Sequence, residues 1–233
     1  MDLVYVVGRP ALCDFNEIKY SIRSAEKNLK FDRLFLVGYV PKFIFKKSIY
    51  NLEIGDYCEN KYKNVAKKVA GIMDSKAISE DFIYMNDDFF LLDKFKKVPY
   101  YHMGKIADWV EHYPKAKLKY YENICKLHKD FPDGLFFETH FPIVYNKEKA
   151  KKVIAKYKLK ITIMLRSYYC NEYIDELDGV EKTFDYKIYN ERDFEIITSN
   201  SPSFLSCTNG SGRLDKFRKY IDGKFPEKSR FEL

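Results

Sequence analysis

The signatures that usually announce enzyme chemistry are missing from this chain of 233 residues. It has no G-x-x-x-x-G-K-[ST] loop to cradle phosphates, no G-x-G-x-x-G turn for a dinucleotide, no G-x-S-x-G elbow and no H-E-x-x-H. Nucleotide hydrolysis of the P-loop kind, dinucleotide-dependent redox chemistry, serine hydrolysis and zinc proteolysis therefore lack their anchors. Cysteine is sparse: Cys13, Cys58, Cys125, Cys170 and Cys207 form an odd set with no C-x-x-C pair. That pattern fits free thiols in a reducing compartment, the cytoplasm, better than a disulfide framework. No basic stretch followed by an apolar one opens the chain, and no uninterrupted apolar run approaches the ~20 residues that span a bilayer. Neither secretion nor an integral membrane segment is expected. Glycine and proline gather in no low-complexity linker, and there is no internal repeat.

What is present is aromatic and basic. Hydrophobic residues make up 46% of the chain and aromatics 17%, with 20 Tyr and 19 Phe against a single Trp. Disorder is excluded by that content, and many rings must lie in a core or line a cleft. The formal charge of +7 would welcome a polyanion without saying which one. Its lysines are spread along the chain, the distribution of a solvated basic surface.

Taken in order, Asp2 to Gly8 is a β-branched run closed by glycine, the form of a first buried strand. From Phe15 to Lys30, Ile18, Ile22, Ala25 and Leu29 recur at helical spacing, with Asp14 and Glu17 resembling a capping box. Arg33 to Val37 and Ser48 to Glu53 read as two further strands, and Lys61 to Met73 as a second amphipathic helix. Ser79 to Leu92 then brings an apolar strand whose far end carries Asn86, Asp87 and Asp88. This β-α-β-β-α-β order predicts an α/β domain built on right-handed parallel crossovers. Further on, helices are expected over Lys115 to Lys129 and Lys147 to Tyr157, a strand interrupted at Pro142 over Gly134 to Tyr145, an apolar stretch carrying Arg166 over Ile161 to Tyr173, and a late strand over Ser203 to Cys207. The segment between Pro99 and Pro114 reads as a loop over the site. Residues 1–212 form the expected single domain, and residues 213–233 a short basic helix with a loosely ordered tail.

Two adjacent carboxylates at the end of a buried strand need compensation, since charge beside a core is usually paired or bound to a cation. Asp87 and Asp88 offer hard oxygen ligands of the kind Mg²⁺ or Mn²⁺ takes, alongside water and phosphate oxygens. The competing reading is turn chemistry alone. Histidine is the side chain most often used as a general base near neutral pH, which makes His140 a candidate, and the forked donors of Arg166 suit a developing anion. Either residue also has a plain structural reading, and the residues by themselves leave both open.

These stretches together resemble the Stealth family, the sugar-phosphate transferases of bacterial capsule synthesis and of the animal lysosomal-enzyme tagging system, in a shortened form. Asp2-Leu-Val-Tyr-Val-Val-Gly8 looks like the family's first block without its Trp-Val-Asp-Gly continuation. Asn16-Glu-Ile-Lys-Tyr-Ser-Ile-Arg-Ser24, followed by Leu34-Phe-Leu-Val37 and Pro41, is similar to the second block, Glu-Leu-Arg-Tyr-Ser-Leu-Arg-Ser and its strand. Phe82-Ile-Tyr-Met-Asn-Asp-Asp88 is similar to Phe-Ile-Tyr-Phe-Asn-Asp-Asp. His140-Phe-Pro142 looks like the third block's His-Met-Pro, and Arg166 stands where the family has an Arg before a helix. Ser203 to Asn209 resembles the last block, with Gly210 in place of the family's Asp.

The resemblance implies a GT-A-like, Rossmann-like fold: a mixed, mostly parallel sheet flanked by helices. It implies a nucleotide-sugar donor, Mg²⁺ or Mn²⁺ at Asp87 and Asp88, His140 as base, and Arg166 as electrostatic stabiliser. Arg23, Asn64, Asn86 and Asp87 would contact the donor or hold its loop. The transferred group is then a sugar or a sugar 1-phosphate. The acceptor hydroxyl is left open between a saccharide and a modified, hydroxymethylated DNA base. A different class of function, a basic nucleic-acid-binding module, is motivated by Tyr and Phe interleaved with Lys from Lys96 to Tyr121. A non-catalytic relative is the third possibility, hinted at by Gly210 and the shortened first block.

Overall fold

The computed structural model describes residues 1–8, 17–113, 118–159, 164–208 and 210–233. Its first strand, β1 (Asp2–Val7), is buried along its whole length. Helix α1 (Glu17–Asn28) follows, then β2 (Leu34–Gly38), the short β3 (Tyr50–Leu52), helix α2 (Lys61–Asp74) and β4 (Asp81–Asn86). β1 pairs in parallel with β2 on one side and β4 on the other, Tyr5 lying opposite both Leu36 and Met85. β3 extends the sheet beyond β2, also in parallel. The expected Asp14 part of the α1 cap lies outside the described residues.

Because successive strand residues face opposite ways, β1 serves two cores at once. Val4 and Val6 pack with Phe35, Val37, Val69 and Ile72 on the α2 side. Leu3, Tyr5 and Val7 pack with Ile18, Ile22 and Ala25 of α1 on the other. A strand covered on both faces must be apolar throughout, which is why its sequence is a continuous run rather than an alternation.

After β4 the chain turns at Asp87 and Asp88 and enters β5 (Phe89–Leu91), which leaves the main sheet. The segment expected to be a loop holds β6 (Tyr100–His102) and α3 (Ile106–His112), and α4 (Leu118–Asp130) comes next. Of the expected strand over Gly134 to Tyr145 only the end is regular, as the first residues of a strand over Ile143–Asn146. This β7 starts directly after Pro142 and runs antiparallel to β4, because a proline has no N–H to give a ladder and is tolerated at a strand's beginning. The stretch before it is irregular and tethered: Phe137 N donates to Ser167 Oγ (3.0 Å) and Leu135 N to Asn171 Oδ1 (2.8 Å).

Helices α5 (Lys147–Lys156) and α6 (Leu165–Glu172) follow, then β8 (Val180–Lys182), which pairs with β6, and β9 (Lys187–Ile188). Helix α7 (Glu191–Ser199), β10 (Phe204–Cys207) and helix α8 (Asp215–Lys224) complete the fold. The main sheet has the order β3-β2-β1-β4-β7, mixed but mostly parallel and flanked by helices. A small second sheet, β5-β10-β9, covers the end of β4 and shares a third core with α8 through Phe90, Leu205, Phe217 and Ile221.

The tail expected to be loose is packed. Phe225 and Phe231 are buried, and Leu233 N donates to Phe43 O at 2.8 Å. Arg23 of α1 forks onto Glu232, with Nε and Nη2 each 2.7 Å from a carboxylate oxygen. The chain's last residues therefore strap across α1.

Candidate functional site

The strand order places the site. From β1 the chain steps outward to β2 and β3, then returns to lay β4 on the other flank of β1. The strand order reverses between β1 and β4, and the carboxyl ends of the strands at such a reversal are the usual ligand position in open α/β sheets. A cleft of about 1320 Å³ opens at this point, lined among others by Gly8, Glu17, Lys68, Glu138 and His140. It gathers Asn64, Asn86, Asp87, Asp88, His140 and Arg166.

Asn86, Asp87 and Asp88 sit where they do because apolar Phe82, Ile83 and Met85 fix β4 in the core, so the strand's first polar residues emerge at its end. A polar stripe on α1 then holds the turn. Ser21 Oγ donates to Phe89 O at 2.6 Å and approaches Asn86 O at 3.4 Å. Leu91 N donates to Ser24 Oγ at 3.1 Å, and Asn28 Nδ2 to Leu91 O at 2.6 Å. Glu17 begins the same stripe and faces the cleft.

Charge is crowded at this end. Burial raises the Asp87 carboxyl well above the usual range, and Asp88 and Glu17 add to the effect. Burial, then Asp88, pushes Glu17 up to about 7, against a hydrogen bond from the Cys207 thiol. The Oε1 atom of Glu17 is buried without a hydrogen-bond partner among the described residues. Among the described residues, Asp88 alone of the three has a cation within 4.0 Å: Lys187 Nζ lies 3.4 Å from its Oδ2. Buried carboxyls, an orphaned oxygen and hard donors fit a divalent cation. No three His, Cys, Asp or Glu side chains converge into a complete metal cage among the described residues. An ion held by Asp87 and Asp88 would thus draw its other ligands from water or phosphate.

His140 lies on the irregular segment before β7, with its ring edge-on to Phe89 at 5.9 Å. Its Nδ1 is 2.8 and 2.9 Å from the two Asp185 oxygens, and its backbone N donates to Asp185 at 3.3 Å. A carboxylate accepting from Nδ1–H selects the tautomer whose Nε2 accepts a proton. Sequence reasoning missed Asp185. It stands 45 residues further along the chain, in a stretch with no periodic or motif signal.

Arg166 enters from the first turn of α6. It is buried, with Nη1 donating to Thr139 Oγ1 at 3.2 Å, and has no carboxylate within 4.0 Å among the described residues. Glu138 is nearby but engaged elsewhere, accepting from Ser167 N at 2.9 Å at the positive end of α6. Burial raises the Glu138 carboxyl, while Arg166 pulls it down. A buried guanidinium with so few protein acceptors is suited to a ligand anion.

On the opposite wall, Asn64 closes the 57–58 loop, accepting from the N–H groups of Tyr57 and Cys58 and donating to Cys58 O at 2.7 Å. Lys68, also missed by sequence reasoning, is buried between Val7 O (2.8 Å) and Asp56 Oδ1 (2.6 Å). Gly38, at φ +114°, leaves it room: a Cβ there would stand 2.3 Å from Val7 O and 2.8 Å from Lys68 Cε. Arg23, expected at the donor, is not part of the cleft lining. Glu232 and the carbonyls of Phe225 and Pro226 occupy its guanidinium, the last two at 2.8 and 3.2 Å. It holds the C-terminal strap instead.

No protein-family profile and no curated protein sequence matches the chain. Among solved structures, the chain is similar to galactosyltransferase LgtC in complex with donor and acceptor sugar analogs, at TM-score 0.45 and 9% identity over 99% of this chain and 98% of that one. It is also similar to the glycosyltransferase GlyE of Streptococcus pneumoniae TIGR4, at TM-score 0.48 and 10% identity over 97% of this chain and 60% of that one. These neighbours are glycosyltransferases.

Proposed function

We propose that this protein is a divalent-cation-dependent transferase that moves a sugar, or a sugar 1-phosphate, from a nucleotide sugar to an acceptor hydroxyl. The observation that carries the reading is the meeting, in one cleft at the sheet's switch point, of Asp87 and Asp88, the His140–Asp185 pair and the buried cation Arg166. Each had come from sequence as a separate candidate, except Asp185. The Stealth-like and GT-A-like character of the sequence blocks supports the same reading.

In this scheme Asp87 and Asp88 would hold Mg²⁺ or Mn²⁺, which when bound neutralises charge on the donor diphosphate. Asn86 shapes the turn, and Asn64 shapes the loop on the opposite wall. His140 Nε2 takes the acceptor proton, with Asp185 holding the ring and stabilising the imidazolium that forms. Arg166 stabilises negative charge that develops as the nucleotide departs. The acceptor oxygen attacks either the anomeric carbon, releasing a nucleoside diphosphate, or the phosphorus next to the sugar, releasing a nucleoside monophosphate.

Part of the motive for the nucleic-acid-module reading is taken up by packing. Tyr101 packs against Phe141 and Phe204, at 4.7 and 5.4 Å, and Trp109 stacks on Phe136 at 4.4 Å. Rings used in this way are not platforms for bases. No described helix is long and apolar enough to cross a membrane.

The test is incubation with a panel of nucleotide sugars and Mn²⁺, followed by chromatography of the nucleotide released. Diphosphate supports glycosyl transfer and monophosphate supports sugar-phosphate transfer. Release of neither, with no donor raising thermal stability, overturns the reading.

A further inference from the structure

Lys187 is placed as no surface lysine would be. Among the described residues it is the only cation within 4.0 Å of Glu17, Asp87 or Asp88, its Nζ lying 3.4 Å from Asp88 Oδ2. The lysine and aspartate side chains are only 15% and 20% exposed. The backbone beneath them is regular: Lys187 is in register with Ser206 in the parallel β9–β10 pair, and Cys207 N donates to Asp88 O at 3.2 Å. The second sheet thus carries this ammonium to the acidic end of β4 and ties both to one frame.

The arrangement has a consequence for any cation that binds there. A divalent ion on Asp88 needs oxygen lone pairs that the ammonium now faces, and two like-charged centres so close repel each other. Withdrawal of the lysine from Oδ2 would relieve that repulsion. Its four-carbon stem allows the head to move while the strand stays paired. The cleft offers a destination, because a donor diphosphate brings anionic oxygens to the same point.

Resting on the transferase reading above, we propose that Lys187 is the built-in counter-ion of the Asp87–Asp88 pair. It competes with the divalent cation in the empty cleft and transfers its contact to phosphate when donor and cation bind together. Binding of the ion to the free protein is then weak, and donor and ion strengthen one another reciprocally. The device keeps the acidic end neutralised between turnovers and favours loading of the ion with its nucleotide.

The experiment is titration of the full chain with Mn²⁺ alone, read by electron paramagnetic resonance. Wild type is compared with Lys187→Met, Lys187→Gln and Lys187→Arg. Met and Gln should each bind Mn²⁺ about tenfold more tightly than wild type, within the usual range of coupling between sites, and Arg should bind it as wild type does. Equal or weaker binding by both neutral variants overturns the proposal and leaves the cation site standing. Asp88→Asn, alone and combined with Lys187→Gln, separates the two ideas. If Mn²⁺ affinity is indifferent to Asp88, or if no variant binds Mn²⁺, the cation reading itself falls and this proposal with it. Circular dichroism of each variant shows that the chain is folded, and either neutral variant suffices if the other is not.

Discussion

The two walls of the cleft are built by different means. Asp87 and Asp88 hang from regular structure: a central strand paired on both sides and a helix whose polar stripe grips the turn. His140 and Arg166 hang from side-chain tethers, one on an irregular segment fastened to Asp185 and the other at the start of a helix beside Thr139. A wall fixed by backbone pairing keeps its shape when a side chain is changed, so substitutions there read out chemistry. A wall fixed by tethers mixes geometry with chemistry, because losing the tether moves the group that acts.

The largest effect is expected on the regular wall. Asp88→Asn should lower kcat by about 10³-fold or more, by analogy with loss of a charge-stabilising group, with the melting temperature nearly unchanged. An unaltered kcat would break the assignment of that wall to chemistry.

Arg23→Met tests the same helix on its other side. Leaving Glu232 buried and unpaired should cost about 3 kcal/mol of stability, measured by urea unfolding, with donor KM unchanged. A raised KM with intact stability would return Arg23 to the donor. The pH dependence has a definite sign. Burial raises the Glu232 carboxyl, but Arg23 and the Ser229 N–H outweigh this and hold it below its ordinary value. The ion pair therefore contributes stability above the unfolded glutamate range of ~4. That contribution is lost as pH falls through the depressed folded value. The variant should show a flatter stability profile over that acid window than wild type.

On the tethered wall, Asp185→Asn should lower kcat by about 10²-fold, the scale of general-base assistance, and alter the pH–rate profile while leaving donor KM in place. A pure loss of stability with normal kcat would make the pair structural. The smallest effect belongs to Ser21→Ala. Removing a hydroxyl that donates to Phe89 O and meets the buried Tyr5 hydroxyl at 3.0 Å should cost about 2 kcal/mol and change kcat only a few-fold, as seen by calorimetry and steady-state rates.

The contrast between walls also explains what could be read from sequence. β1, α1 and β4 were legible because their signals are local: a doubly covered strand is a continuous apolar run, and the α1 face repeats at helical spacing. Asp87 and Asp88 were legible because they interrupt such a run at its end. Asp185 and Lys187 were not, since they meet His140 and Asp88 from in and beside a β9 only two residues long, too short to leave a pattern. The strand expected over Gly134 to Tyr145 was over-read because Phe136, Phe137 and Phe141 are all core residues, yet the backbone between them follows side-chain anchors rather than a ladder. The ion-pair partner of Arg23 was not legible because Glu232 lies 209 residues away, and a helix position beside an apolar stripe does not name its counter-ion.

The polar stripe of α1 has a consequence for how this chain can vary. Glu17, Ser21, Ser24 and Asn28 succeed one another by four, three and four residues, one line down one face of the helix. Each can be replaced singly at modest cost. Inserting or deleting one residue between Glu17 and Asn28 is another matter, since each residue turns an α-helix by about 100°. Beyond the change, every later tether would swing away from β5 together, and Arg23 or its successor would leave the strap. The helix behaves as a ruler whose marks must all align, so α1 should tolerate changes of letter far better than any change of length.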